Sequence, residues 1–199
     1  MILSQPQLLE CVNKGTIGFS PELEEGQWGE ASIDLRLGHQ FTKLKAIEGI
    51  RVSVARGIGV VAEANLWEEV ELKTGAELGT QDCYTIKPGE FVLAKTHEKI
   101  TVPRNLIARV EGRSSYARVG LSMHQTAPWI QPGWEGKIIL ELMNSGSLSI
   151  DLTPIQDRPC QITFFRLTSE VPEEQAYGAK KTDGFQHQER PFPSSRTRT

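Results

Sequence analysis

The sequence predicts a mainly β fold, a distorted antiparallel β-barrel or jelly roll, with a short N-terminal helix before it and a C-terminal arm after it. Three observations carry this. From Ala31 onward, short alternating or continuous apolar runs recur at close spacing. Gly, Pro and Asn bound these runs, which is the punctuation of antiparallel strands. After about Val171 the composition shifts to charge, Gln, Pro, Ser and Thr, ending PFPSSRTRT, which suits a flexible arm rather than a core element. The expected organisation is one domain over residues 1–170 and an arm over 171–199.

The first element runs from Ser4 to Lys14. Ser4 is placed to cap a helix, Gln7 completes a capping-box pattern, and Gly15 follows as a stop. Leu8, Leu9 and Val12 share one face, which reads as packing. Ser32-Ile33-Asp34-Leu35-Arg36-Leu37 then alternates polar and apolar as a half-buried strand does. Asp34 and Arg36 fall on one face of it, placed to pair or to bind. Further strands are expected at Phe91–Ala94 after Pro88-Gly89, at Leu106–Val110 after Pro103-Arg104-Asn105, and at Ile162–Phe165 after Pro159. Residues 48–80 carry too weak a pattern to place.

Composition narrows the function. The 199 residues are 38% hydrophobic and 24% charged, proportions of a folded domain with a real core. A net charge of −3 leaves no basic footprint for nucleic acid. No apolar run reaches the roughly 20 residues that span a bilayer, and MILSQPQLLE lacks the basic start and apolar core of a signal peptide. Cys11, Cys83 and Cys160 are odd in number and widely spaced, against a disulfide framework or a cysteine zinc site. The expected home is cytoplasmic, with neither membrane nor nucleic acid as partner.

The chemistry concentrates between Gly112 and Gly146. Arg113, Ser114, Ser115 and Arg118 offer guanidinium forks and hydroxyls suited to phosphate oxygens, although no Walker loop is present. The alternative is a polar turn with surface arginines. Glu141 stands alone in the apolar run Ile138–Met143. Leu140 and Leu142 fill one strand face; Lys137, Ile139, Glu141 and Met143 form the other. A carboxylate desolvated there suits a group that takes and returns a proton; the alternative is an ordinary outward-facing strand residue. Zinc chemistry is not expected. Pro159-Cys160 is not followed by the second cysteine of a zinc deaminase, and His39, His97, His124 and His187 form no HExxH or similar group. His124 alone lies in the key stretch, where a hydrogen-bonded loop residue is the plain reading.

Three segments resemble the dCTP deaminase family of the trimeric dUTPase-like superfamily. They are Ala31–Gly38, reading ASIDLRLG; GRSS-x-AR-x-GL with Pro132-Gly133-Trp134-x-Gly136 and Leu140-Glu141-x-x-Asn144; and the arm with Tyr177 and Gln188. The resemblance implies a barrel or jelly roll of the dUTPase-like type, a homotrimer with sites between subunits, and zinc-free hydrolysis of dCTP to dUTP and ammonia. Mg2+ would accompany the triphosphate, and dTTP would be a feedback inhibitor. Glu141 matches the general acid/base, and Ser114 and Arg118 match the groups that hold water at the reacting centre. Arg113, Ser115 and the adjoining backbone of Tyr116 and Ala117 match triphosphate contacts. The backbone at Ile139 and Leu140 matches the groups that read the pyrimidine edge. Tyr177 and Gln188 match arm residues that close over the nucleotide, while His124 and Ala127 lie in the loop that shifts between active and inhibited forms in relatives.

Two positions depart from that pattern. Gln131 stands where relatives usually carry the Asp that contacts the sugar; it still hydrogen-bonds a 3'-hydroxyl but is no base at neutral pH. Little dUTP hydrolysis is therefore expected. Gly184 occupies the place of a phosphate-binding Lys, leaving Lys180 or Lys181 to reach the phosphates. Competing readings are a bifunctional deaminase and diphosphatase, a dUTPase, and a catalytically silent nucleotide-binding relative.

Overall fold

The chain forms three antiparallel sheets around one main core. The computed structural model describes residues 1–53, 61, 65–72, 82–180, 183–188 and 191–192. In chain order the elements are α1 (Gln5–Asn13), β1 (Gly18–Ser20), β2 (Ile33–Leu35), β3 (Leu37–Leu44), β4 (Trp67–Glu71), β5 (Tyr84–Ile86), β6 (Phe91–Thr101), β7 (Leu106–Gly112), α2 (Ser114–Ala117), β8 (Leu121–Ser122), β9 (Trp129–Ile130), β10 (Glu135–Asn144), β11 (Ile150–Leu152) and β12 (Cys160–Arg166). One sheet runs β4-β3-β6-β10-β8, with β1 also on β6. A second runs β2-β12-β7-β9, and β11 pairs with β5. The sheets do not close into a barrel, so the architecture is a distorted jelly roll.

Period-two alternation builds the core. On β10, Ile138, Leu140, Leu142 and Asn144 point inward, while Glu135, Lys137, Ile139, Glu141 and Met143 stay half-exposed. Leu106, Ala108 and Val110 of β7 and Cys160, Ile162 and Phe164 of β12 close the same core from the second sheet. Each large side chain so buried contributes roughly 1.5–3 kcal/mol. Helix α1 follows the expected capping: the Ser4 N–H donates to Gln7 Oε1 at 3.1 Å. Leu8 is fully buried, and Gly15 ends the turn at φ +69°.

The run expected as one strand over Ser32–Leu37 is two. It breaks at Arg36, because β2 pairs with β12 in one sheet whereas β3 pairs with β6 in the other. The chain changes sheets at that residue, a corner typical of packed sheets. Arg36 and Asp34 accordingly do not pair with each other. The Arg36 N–H donates to Glu98 Oε2 at 2.9 Å and its Nε to Glu98 Oε1 at 2.7 Å. Gln27 adds a bond to Glu98 at 3.0 Å, and Glu24 pairs with the outer end of Arg36. Glu98 and Gln27 are fully buried.

Next to this corner, half-buried His97 donates its N–H to Arg36 O at 2.8 Å. Burial pushes its imidazole below the ordinary 6.5; Glu98 opposes this, and Arg36, Lys137 and His39 add to it. The folded chain therefore resists a proton that the unfolded chain accepts, so this contribution to stability is lost as pH falls below about 6.5. Thermal melts between pH 7.5 and pH 5.5, at roughly half-unit steps, should show His97→Gln flattening that slope relative to the unmodified chain.

Candidate active site

The free edge of β10 organises the site. Its other edge pairs with β6, and β8 covers only Met143 and Asn144. In an antiparallel strand alternate residues turn both backbone groups to the same edge. Glu135 N–H donates to Gln186 Oε1 at 3.1 Å, and Glu135 O accepts from the His187 N–H at 2.8 Å. Lys137 O accepts from Gln188 Nε2 at 3.1 Å, and the Glu141 N–H donates to Met123 O at 2.9 Å. Ile139 shares their orientation, so its N–H and C=O face the gap between arm and loop. That gap is a cleft of about 160 Å³. It is smaller than the roughly 300–1,000 Å³ that encloses a whole ligand, and it suits a single heteroaromatic ring.

His124, Ala127, Gln131, Ile139, Leu140, Tyr177 and Gln188, all expected at the site, line this cleft together with Trp129, Trp134 and Phe185. Glu141 lies on β10 beyond Leu140, half-buried rather than enclosed. Its Oε2 accepts the Gln125 N–H at 2.9 Å, and its carbonyl accepts from Gln125 Nε2 at 3.3 Å. These bonds tie Glu141 to the loop that follows His124, two residues along β10 from Ile139. His124 Nε2 lies 3.3 Å from Glu111 Oε2, and Arg109 Nε donates to Glu111 Oε1 at 2.6 Å. Burial pushes the Glu111 carboxyl up, but His124 and Arg109 outweigh it and leave the group lowered.

The donor segment lies apart from this cleft in the single chain. Ser114, Ser115, Ala117 and Arg118 are exposed around α2. Among the described residues no hydrogen bond or ion pair joins them to Glu141. The side chains of Arg113 and Tyr116 also have partners within the fold. Arg113 lies 3.2 Å from Asp34 Oδ2 and donates to Arg158 O at 3.1 Å. The Tyr116 hydroxyl donates to Asp157 Oδ1 at 2.6 Å; burial, then that carboxylate, push its pKa up. Burial likewise raises the Asp34 carboxyl, against the pull of Arg113 and Arg158.

Backbone contact fixes α2 against the end of β10. A Cβ on Gly120 would fall 2.4 Å from Gly146 N, and one on Gly146 would fall 2.3 Å from Val119 O. Neither position admits a side chain. Buried Asn144 sets this crossing, donating to Ile86 O at 3.0 Å and to Leu148 O at 2.9 Å, and accepting the Gly146 N–H at 3.0 Å.

The arm docks on the Pro132–Gly136 turn. The Tyr177 N–H donates to Pro132 O at 2.8 Å. Trp134 Nε1 donates to Phe185 O at 3.1 Å, and Gln186 Nε2 donates to Gly133 O at 3.1 Å. Gly133, at φ +88°, leaves only 2.9 Å between a would-be Cβ and that of Ala176. Lys181 lies outside the described residues. Lys180 and Gly184 are described, and the Lys180 N–H donates to Asp183 Oδ2 at 3.2 Å. Sequence reasoning missed Glu111, Gln125, Trp134, Phe185 and Gln186. Only Trp134, inside a quoted motif, carried a signal that pointed to it.

Among the described residues no helix is long and apolar enough to cross a membrane. The chain is 38% identical over 182 residues to "dCTP deaminase, dUMP-forming" of Methanosphaera stadtmanae, covering 92% of this chain and 86% of that one. It is 35% identical over 195 residues to "dCTP deaminase" of Haloarcula marismortui, covering 98% and 94%. The solved 2'-deoxycytidine 5'-triphosphate deaminase from Agrobacterium tumefaciens shares the fold, with a TM-score of 0.63 at 22% identity over 87% of this chain. The match spans 50% of that longer chain. The model of the dCTP deaminase-like family matches residues 2–167, and the chain belongs to that family.

Proposed function

We propose that the protein hydrolyses dCTP to dUTP and ammonia without zinc. The observation that carries this is the backbone pair of Ile139, turned to a ring-sized cleft on the same strand that carries Glu141 two residues further on. An N–H beside a C=O complements the acceptor and amino edge of cytosine. Its C4 would then lie toward the carboxylate. The names borne by the archaeal relatives support the same substrate.

In this reading Glu141 takes a proton from water, and the resulting hydroxide adds to C4. The carboxylic acid returns its proton to N3. The proton of the new C4 hydroxyl passes to the amino group, which leaves as ammonia as C4=O forms. Ser114 and Arg118 of a neighbouring subunit would hold the water, which accounts for a donor segment exposed in the single chain. The protein is accordingly proposed as a homotrimer. Gln131 meets the sugar, and Arg113, Ser115 and the α2 backbone meet the triphosphate with its Mg2+. The arm closes over the nucleotide and excludes water. The loop from His124 to Ala127 is the proposed seat of inhibition by dTTP.

A second reading is release of dUMP and pyrophosphate, favoured by the name of the Methanosphaera relative. Gln131 in place of a carboxylate opposes it, because an amide does not activate water. Incubation with dCTP and Mg2+, followed by chromatography of nucleotides and an ammonia assay, tests both readings. Equal ammonia and dUTP are expected. Pyrophosphate with dUMP would select the second reading, and no ammonia would defeat both.

A further inference from the structure

We infer that Phe192 is a positioning residue that fastens the far end of the arm, so that the stretch facing the cleft is held at both ends. The use of dCTP below rests on the reading just given; the fastening itself does not.

From Tyr177 to Gln188 the arm is held largely by hydrogen bonds to the Pro132–Lys137 backbone. Such bonds exchange readily with water and contribute little each. Its near end is also seated by apolar burial, with Ala176 6% exposed. Phe192 supplies the corresponding seat at the far end. It is 9% exposed, in a cluster with Val61, Leu66 and Leu93 that is separate from the main core. Its ring lies 6.3 Å from that of Trp67, centroid to centroid. Burial of a phenyl ring outweighs the exchange of any one of those hydrogen bonds. In the sequence Phe192 stands between Pro191 and Pro193. Proline on either side restricts the undocked chain, so little entropy is lost when the ring seats.

The floor of this seat belongs to the catalytic strip. Leu93 is the cross-strand partner of Glu141, and Ile139, which packs against the cluster, lines the cleft. When Phe192 is seated, the arm borders the cleft at the ring-binding edge and the apolar surface of Leu93 and Ile139 is covered. When it leaves, both effects are lost together. Apparent nucleotide affinity then falls with the docked fraction.

The test uses the full chain with Phe192→Ala and Phe192→Leu. In nucleotide-free protein, tryptic cleavage within the arm at Lys180 and Lys181 is followed by mass spectrometry. Phe192→Ala should speed it by roughly tenfold or more, and Phe192→Leu should stay near the unmodified rate. With dCTP, Phe192→Ala should raise KM by a similar factor and leave kcat within about twofold. Unchanged cleavage in Phe192→Ala overturns the inference. So does a lower melting temperature with unchanged KM, since that marks a core filler. If the unmodified protein turns over no dCTP, the functional reading fails alone, and the cleavage rates still decide the role of Phe192.

Discussion

Glu141→Gln should lower kcat for dCTP by roughly 10²–10⁴-fold, the range general acid–base groups contribute, while dCTP binding measured by calorimetry stays within about threefold. The amide keeps the shape and still accepts the Gln125 N–H that holds the native carboxylate at 2.9 Å. It does not take a proton from water. Because Arg118 is exposed and unconnected to Glu141 among the described residues, the defect should be repairable in trans. Arg118→Ala should also be inactive alone. Chains of the two variants, unfolded together and refolded at equal ratio, should recover about a quarter of native activity if each site joins halves from two subunits of a cyclic assembly. No recovery, with trimers confirmed by light scattering, would place both groups on one chain.

The largest expected effect on stability lies at the corner between the sheets. Glu98→Ala should destabilise the fold by about 3–5 kcal/mol, the cost of leaving one member of a buried pair uncompensated. For a chain of this size that lowers the melting temperature by roughly 10 °C or more. Glu98 is fully buried, and Arg36 is 5% exposed. Truncation removes the acceptor of Arg36 Nε and of its backbone N–H and one of the two acceptors of the Gln27 amide, leaving the guanidinium to its outer partner Glu24. The double variant Arg36→Met, Glu98→Leu should regain much of the loss, since an apolar pair of similar volume removes both desolvation costs. Calorimetric melts of the three proteins decide this. A Glu98→Ala protein that melts within about 2 °C of the original would show the pair to be dispensable.

Local patterning made much of the fold legible. The cap of α1, the strands around Phe91, Leu106 and Ile162, and the two faces of β10 follow from neighbours a few residues apart. The break at Arg36 does not, because the strands that draw its two sides into different sheets, β12 and β6, lie far along the chain. The stretch 48–80 yielded no pattern; within it β4 pairs with β3, and Leu66 and Trp67 belong to the small cluster around Phe192. The site divides in the same way. Glu141, His124, Gln131 and Tyr177 announced themselves by residue type in a motif. Gln125 and Gln186 act through contacts with distant backbone, and Glu111 acts through a partner on another element. The fold partners of Arg113 and of the Tyr116 hydroxyl, Asp34 and Asp157, are likewise invisible from the local string.

The outward-turned backbone of Ile139 has a consequence for how this protein can change. Every residue except proline presents the same N–H and C=O at that position. On the reading proposed above, ring recognition by the main chain would be indifferent to mutational drift in the side chain, which needs only to suit the apolar cluster at its back. New base preferences would have to come from a change of register, and β10 already carries an irregularity between Lys137 and Ile139. A slip of one residue there would exchange reading groups for core groups along the whole strand. The vocabulary of the site is thus locked to the geometry of its sheet, while its grammar, set by the loop and the arm, is free to vary.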